Sequence, residues 1–162
     1  MRSLPNGPKV AGLSISKKPK TVKRREEEQE EKKTYIKRIL IVDDEPDVTL
    51  TFKVGLEEYQ DNEKRRMFKV NVYNDPEVAV LEFNPNFYDL LLTDIFMPKM
   101  NGLELYHKMV ELDPNIRVCF MSAAEANIEA LREVYPNVSF GCFIQKPVTI
   151  DDLVRQLSRE LD

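Results

Sequence analysis

Four short apolar runs in this chain each lead to a residue that can do chemistry. Ile39-Leu40-Ile41-Val42 ends at Asp43-Asp44, Tyr88 to Thr93 at Asp94, Ile116 to Met121 at Ser122, and Val138 to Ile144 near Lys146-Pro147. In a parallel sheet these ends share one edge, so three carboxylates, a hydroxyl and an ammonium converge there. Carboxylates held together repel and raise one another's pKa. A divalent cation relieves that conflict, and carboxylate oxygens with several retained waters suit Mg²⁺. Lys146 adds a further positive charge. Such a cluster is suited to holding one more anion, and phosphate is the obvious one.

The elements that must position these residues are legible in the apolar pattern. Ile39 to Val42 is β-branched and apolar throughout, as a strand buried on both faces of a parallel sheet requires. Pro46 suits the first turn of a helix, and Val48, Thr49, Phe52, Leu56 and Tyr59 follow at helical spacing. Met67 to Tyr73 alternates and reads as an edge strand. Asp75-Pro76 starts a helix through Phe83, Tyr88 to Thr93 is a buried strand, and 95–100 is a loop. Gly102 to Leu112 is a helix, Ile116 to Met121 a strand, Ala123 to Tyr135 a helix, Val138 to Ile144 a strand and Ile150 to Leu161 a helix. Five strands alternating with five helices imply a parallel sheet covered on both faces.

The motifs Ile39-Leu40-Ile41-Val42-Asp43-Asp44-Glu45, Leu91-Leu92-Thr93-Asp94-Ile95-Phe96-Met97-Pro98 with Asn101-Gly102, Ser122-Ala123, and Lys146-Pro147 resemble the receiver domain of response regulators of two-component systems. The resemblance covers residues 37–162. It implies an α/β, flavodoxin-like (βα)5 fold with a five-stranded parallel sheet in the order 2-1-3-4-5. It implies that Asp94 is the phosphoacceptor, taking a phosphoryl group from a phosphohistidine as an acyl phosphate. It implies that Asp44 ligates Mg²⁺ directly, with Mn²⁺ as a substitute, that Asp43 acts mostly through a metal-bound water, and that Asp94 and the Phe96 carbonyl complete the ligands. Lys146 is then the partner of the transferring group, Ser122 the switch hydroxyl and Phe143 the switch aromatic. The peptide before Pro147 is typically cis in this family. The expected partners are a sensor histidine kinase or histidine phosphotransfer protein, and an unidentified downstream protein on the face of the fourth helix, fifth strand and fifth helix. Phe96 and Ala124, two positions after Asp94 and Ser122, are apolar where the family often has polar residues, which points to slow dephosphorylation.

Simpler readings exist for each residue alone. Asp94 can cap a turn, Asp44 and Ser122 can cap helices, and Phe143 can be core. Their joint occurrence at strand ends favours the chemical reading. The chain is expected to be a stand-alone receiver with no attached output domain, since it ends after the fifth helix. A phosphorelay intermediate and a phosphorylation-independent binding module are the alternatives. An aspartyl-nucleophile phosphatase is disfavoured because no acid stands two residues after Asp94.

Composition sets the remaining bounds. The net charge of −4 divides into +5 over residues 1–36 and −9 over residues 37–162. Residues 1–36 therefore read as a charged tail, disordered over 1–21 and able to form a solvated helix over 22–35, ahead of the receiver domain at 37–162. Its basic run, Lys17 to Arg25, is open to three readings: a solvated stretch, a contact for nucleic acid or an anionic surface, or autoinhibition on the acidic domain. The polar stretch from Gln60 to Arg66 lengthens a loop. Cys119 and Cys142 exclude a disulfide scaffold or a four-thiolate zinc site, and read as small core residues in a reducing compartment. His107 reads as a surface residue. With no membrane span and no secretory signal, the expected location is cytoplasmic.

Overall fold

The computed structural model describes Gly12, residues 35–123 and residues 126–162. The readings of the tail over 1–34 and of Ala124 lie outside the described residues. Tyr35–Asp162 form one compact unit. Its elements are β1 (Lys37–Val42), α1 (Pro46–Glu58), β2 (Phe68–Tyr73), α2 (Pro76–Leu81), β3 (Leu90–Asp94), α3 (Gly102–Leu112), β4 (Arg117–Ser122), α4 (Ile128–Val134), β5 (Phe143–Gln145) and α5 (Ile150–Leu161). All neighbouring strands are parallel and run in the order β2-β1-β3-β4-β5, as expected.

Alternation along the central strands divides the core in two. Ile39, Ile41, Leu90, Leu92, Cys119, Met121 and Ile144 face Phe52 and Leu56 of α1 and Leu153, Leu157 and Leu161 of α5. Leu40, Val42, Leu91, Val118 and Phe120 face Ala79 of α2 and Leu103, Leu105 and Met109 of α3. Burying each large side chain contributes about 1.5–3 kcal/mol, so the continuous apolar runs commit β1, β3 and β4 to the sheet centre. The outer edge of β2 is closed by α1: Glu57 accepts the Val70 N–H at 2.9 Å, and Lys53 donates to the Val70 carbonyl at 2.5 Å. Gln60 to Arg66 is an ordered turn closed by an isolated bridge between its ends, with Arg65 paired to Asp61 at 2.7 Å.

The helix expected through Phe83 ends at Leu81, and two further elements are much shorter than the sequence pattern predicts. The helix expected over Ala123 to Tyr135 is only Ile128–Val134, because the Asn127 side chain accepts the Ala130 N–H and caps a start there. The strand expected over Val138 to Ile144 is Phe143–Gln145, paired with Phe120 to Ser122, because the preceding segment holds turn formers. The Val138 N–H donates to the Tyr135 carbonyl at 3.1 Å in one such turn. A further expectation is corrected. Cys119 and Cys142 are not separate core thiols but a disulfide, because Cys119 on β4 faces Cys142, the residue just before β5, with Cα atoms 4.6 Å apart.

Gly102 opens α3 directly beneath the site. A Cβ there would overlap the carbonyl oxygen of Asp94, a backbone atom that cannot swing aside. The Gly102 N–H also donates to the Ile95 carbonyl at 2.8 Å. Gly102→Ala should therefore cost on the order of 2 kcal/mol of stability despite the better helix propensity of alanine. Equilibrium urea unfolding checks this, and an unchanged or higher midpoint would contradict the close approach.

Candidate functional site

Strand register converges the chemical residues. Val42 pairs with Thr93, so the next residues, Asp43 and Asp94, emerge side by side from the two central strands. Asp94 pairs with Met121, and Ser122 with Gln145, so Ser122 and Lys146 follow at the same edge. Asp43 and Ser122 are fully buried, Asp94 is 6% exposed and Lys146 9% exposed.

The Lys146 ammonium ties three strands together. It donates to Asp43 Oδ2 at 2.9 Å and to Glu45 Oε1 at 3.3 Å, and lies 3.5 Å from Asp94 Oδ2. The Lys146 N–H donates to the Ser122 carbonyl at 2.9 Å, and the peptide to Pro147 is cis, as the resemblance implied. Asp43 is fixed further, since its Oδ1 accepts the Glu45 N–H at 3.0 Å and its carbonyl accepts from Asn74 Nδ2 at 2.8 Å. Beside Lys146 a groove of about 440 Å³ opens between α1 and the turn into α5, lined in part by Val48, Phe52 and Val148.

The electrostatics are unbalanced towards negative charge. Burial, together with the like charges of Asp43 and Asp44, pushes the Asp94 carboxyl up to about 6, against the attraction of Lys146. Burial works to lower the pKa of Lys146, but the hydrogen bond and charge of Asp43, then Asp94 and Glu45, outweigh it and raise the pKa. One ammonium does not neutralise this many carboxylates. Oxygens of Asp43, Glu45 and Asp94 all lie within 4.8 Å of one another, a hard-oxygen donor set of the kind Mg²⁺ takes. The residues present thus fit a divalent cation.

Asp44 is exposed and is not among those three carboxylates; it acts on Asp94 as a nearby negative charge. Glu45 was missed by sequence reasoning. Its signal was its place directly after Asp43-Asp44, where it is also the N-cap residue of α1. The loop after Asp94 is held from several sides. Lys99, with φ of 69°, donates to Asp75 Oδ2 at 2.6 Å at the start of α2. That bond holds the Asp75 carboxyl below its usual range. Asn101 forms a capping box with Glu104 on α3, and its amide donates to the Tyr135 hydroxyl at 3.1 Å. Phe96 is 57% exposed beside the site, and Phe143 is half-buried against the core. His107 is on the exposed face of α3, 3.5 Å from Glu111.

A doubly covered parallel sheet with an acidic pocket and a buried lysine at its carboxyl edge defines a class. The chain belongs to the response regulator receiver domain family, which matches residues 39–158. It is 28% identical over 126 residues to the response regulator receiver protein CpdR of Brucella abortus, covering 78% of this chain and 98% of that protein. It is 32% identical over 122 residues to the sensor protein EvgS of Escherichia coli K12, covering 75% of this chain but 9% of EvgS. The transcriptional regulatory protein TrcR of Mycobacterium tuberculosis is 28% identical over 120 residues, and the chain spans only 43% of it. Among solved structures, a CheY-like receiver domain protein from Methanospirillum hungatei superposes with a TM-score of 0.63 at 25% identity, covering 79% of this chain and 95% of that one. The non-phosphorylated HemR receiver domain from Leptospira biflexa gives 0.63 at 26% identity, covering 78% and 94%.

The raised Asp94 pKa has a stability consequence with a definite sign. The folded value, about 6, lies above the ordinary 3.8, so folding favours the protonated form. In metal-free buffer that contribution is present below about pH 4 and is lost as pH rises through about 6. Asp94→Asn removes the charge, so the variant should be more stable than the parent by about 1–2 kcal/mol at pH 7.5. The difference should shrink towards pH 4.5. Denaturation with a chelator present measures it, and a variant less stable than the parent at pH 7.5 would contradict the assigned electrostatics.

Proposed function

We propose that this chain is a phosphorylation-dependent switch in which Asp94 accepts a phosphoryl group from a sensor histidine kinase or a histidine phosphotransfer protein. An Asp94 carboxylate oxygen attacks the phosphorus of the phosphohistidine, the P–N bond breaks, and the imidazole leaves with its electron pair and takes up a proton. The product is an acyl phosphate. Asp43, Asp94 and the Phe96 carbonyl would hold Mg²⁺, or Mn²⁺ in its place, with Glu45 in the same carboxylate cluster and the exposed Asp44 as the further ligand that the resemblance implies; the ion, when bound, would supply positive charge for the phosphoryl oxygens. Lys146 supplies the second positive charge from a fixed position, so the site need not reorganise during transfer. The observation that carries this reading is the Lys146 ammonium 2.9 Å from Asp43 and 3.5 Å from Asp94 at the carboxyl edge of the sheet.

The phosphoryl group adds about −1.5 to −2 charge and three acceptor oxygens. Ser122 and Lys146 then gain contacts that the unmodified state lacks, and only such differential contacts shift an equilibrium. Moving it from 1:99 to 99:1 takes about 5.5 kcal/mol. The switched surface is the face of α4, β5 and α5, with Phe143 as its moving aromatic, presented to a downstream protein. We place the protein in the cytoplasm, in keeping with the described residues, where no helix is long and apolar enough to cross a membrane. Onward transfer within a phosphorelay is the second reading, favoured by the similarity to the sensor protein EvgS.

Acetyl phosphate with Mg²⁺, followed by intact mass, tests the proposal. The parent should gain one phosphoryl group, Asp94→Asn should gain none, and Lys146→Met should react about 10²-fold more slowly. An unmodified parent would leave a phosphorylation-independent receiver. With Phe96 and Ala124 apolar, neither side chain is equipped to position an attacking water, so the acyl phosphate should persist for minutes. A time course of the same mass showing loss within seconds would contradict that assignment.

A further inference from the structure

The two cysteines of the chain lie three residues before Ser122 and four before Lys146. Phe120 pairs with Phe143, so Cys119 and Cys142 stand opposite each other one step earlier, where their disulfide joins β4 to the residue just before β5. The strand they tie down is lightly held. β5 has three residues, sits at the sheet edge and pairs only with Phe120 to Ser122. The loop closed by the cross-link contains α4, which has no fully buried residue. Directly after β5 comes Lys146, whose ammonium must stay between Asp43 and Asp94.

We propose that Cys119 and Cys142 are a reversible oxidation site that staples β5, and with it Lys146, to β4. Both redox forms suit the place. As thiols, two small soft side chains fit among Met121, Ile144 and Leu153 of the same core. As a disulfide they remove freedom from the segment that carries α4 and β5. The oxidant is a low-molecular-weight disulfide. Cys142, 8% exposed where Cys119 is fully buried, gives up its proton and its thiolate attacks one sulfur of that reagent. A mixed disulfide forms and one small thiolate leaves. The Cys119 thiolate then attacks the Cys142 sulfur, the intramolecular disulfide forms, and the second small thiolate leaves. The two protons from the cysteines end on the two small thiols, and two electrons have passed from protein to reagent. Reversibility also reconciles the cross-link with a cytoplasmic receiver, since cytosolic disulfides are mostly transient.

The effect on phosphorylation rests on the phosphoacceptor reading, whereas the thiol chemistry and the loosening of β5 do not. The experiment equilibrates the native wild-type protein in buffers of reduced and oxidised glutathione and follows three quantities. Thiol titration after denaturing quench should give no free thiol in the oxidised form and both in the reduced form, interconverted without denaturant. Hydrogen exchange of the amides over 143–146 should be about tenfold faster in the reduced form. Phosphorylation by acetyl phosphate should be about threefold slower in the reduced form, because Lys146 is less well positioned. A Cys119→Ala/Cys142→Ala variant should respond to neither buffer. A cross-link that never forms, or one that glutathione cannot open in the folded protein, overturns the proposal. So do equal exchange and equal phosphorylation in the two forms. A redox-dependent exchange difference in a protein that acetyl phosphate labels in neither state supports the staple and rejects the phosphoacceptor reading instead.

Discussion

A lysine ammonium that is 9% exposed, held 2.9 Å from a fully buried aspartate and 3.5 Å from a second aspartate, constrains everything around it. Taking such charges out of water costs several kcal/mol per ion unless geometry and hydrogen bonding compensate. Compensation here is partial by construction. Asp43 is satisfied by Lys146 and by the Glu45 N–H, while Asp94 sits at the longer distance with its carboxyl pushed up to about 6. The pocket is stable enough to exist and short of positive charge, which suits the cation proposed for it.

The fold exists to keep those charges in register. Parallel pairing makes all strand ends equivalent, and the order β2-β1-β3-β4-β5 puts the two aspartate strands at the centre, where apolar burial is greatest. The two strands bearing Ser122 and Lys146 stand successively outward. Rigid and lightly held parts of the molecule therefore meet at the site. Asp43 and Asp94 rise from the most buried strands, Lys146 from the shortest one at the edge. The switch proposed above would use both: Asp94 on a fixed strand, and a neighbouring segment able to take a second arrangement. Gly102 and the Lys99–Asp75 pair fix the loop that follows Asp94, and the Cys119–Cys142 cross-link bears on β5 and Lys146.

Much of this was legible in the sequence, for reasons visible in particular residues. Ile39 to Val42 and Leu90 to Leu92 are buried on both faces, so their pattern had only one physical reading. Gly102–Leu112 and Ile150–Leu161 carry strong capping residues at their starts, Asn101 and Thr149, and their bounds were read correctly. The pattern failed around α4 and β5, where few side chains are fully buried and the tertiary environment imposes little. Propensity alone overextended both elements there. Within the site, the convergence of Asp43, Asp94, Ser122 and Lys146 followed from strand ends. Glu45 did not, because its reach to Lys146 depends on a side-chain conformation that periodicity does not encode. The disulfide was missed because two cysteines in apolar strands look the same whether or not those strands are neighbours in register.

The central claim is that Asp94, and no other residue, carries the phosphoryl group. Borohydride reduction of the phosphorylated protein converts an acyl phosphate to an alcohol, leaving homoserine where the aspartate stood. Peptide mapping of the reduced protein should find homoserine at position 94 and unmodified aspartate at 43 and 44. Homoserine at either of those positions, or a phosphoryl group that survives reduction on another residue, would contradict the account.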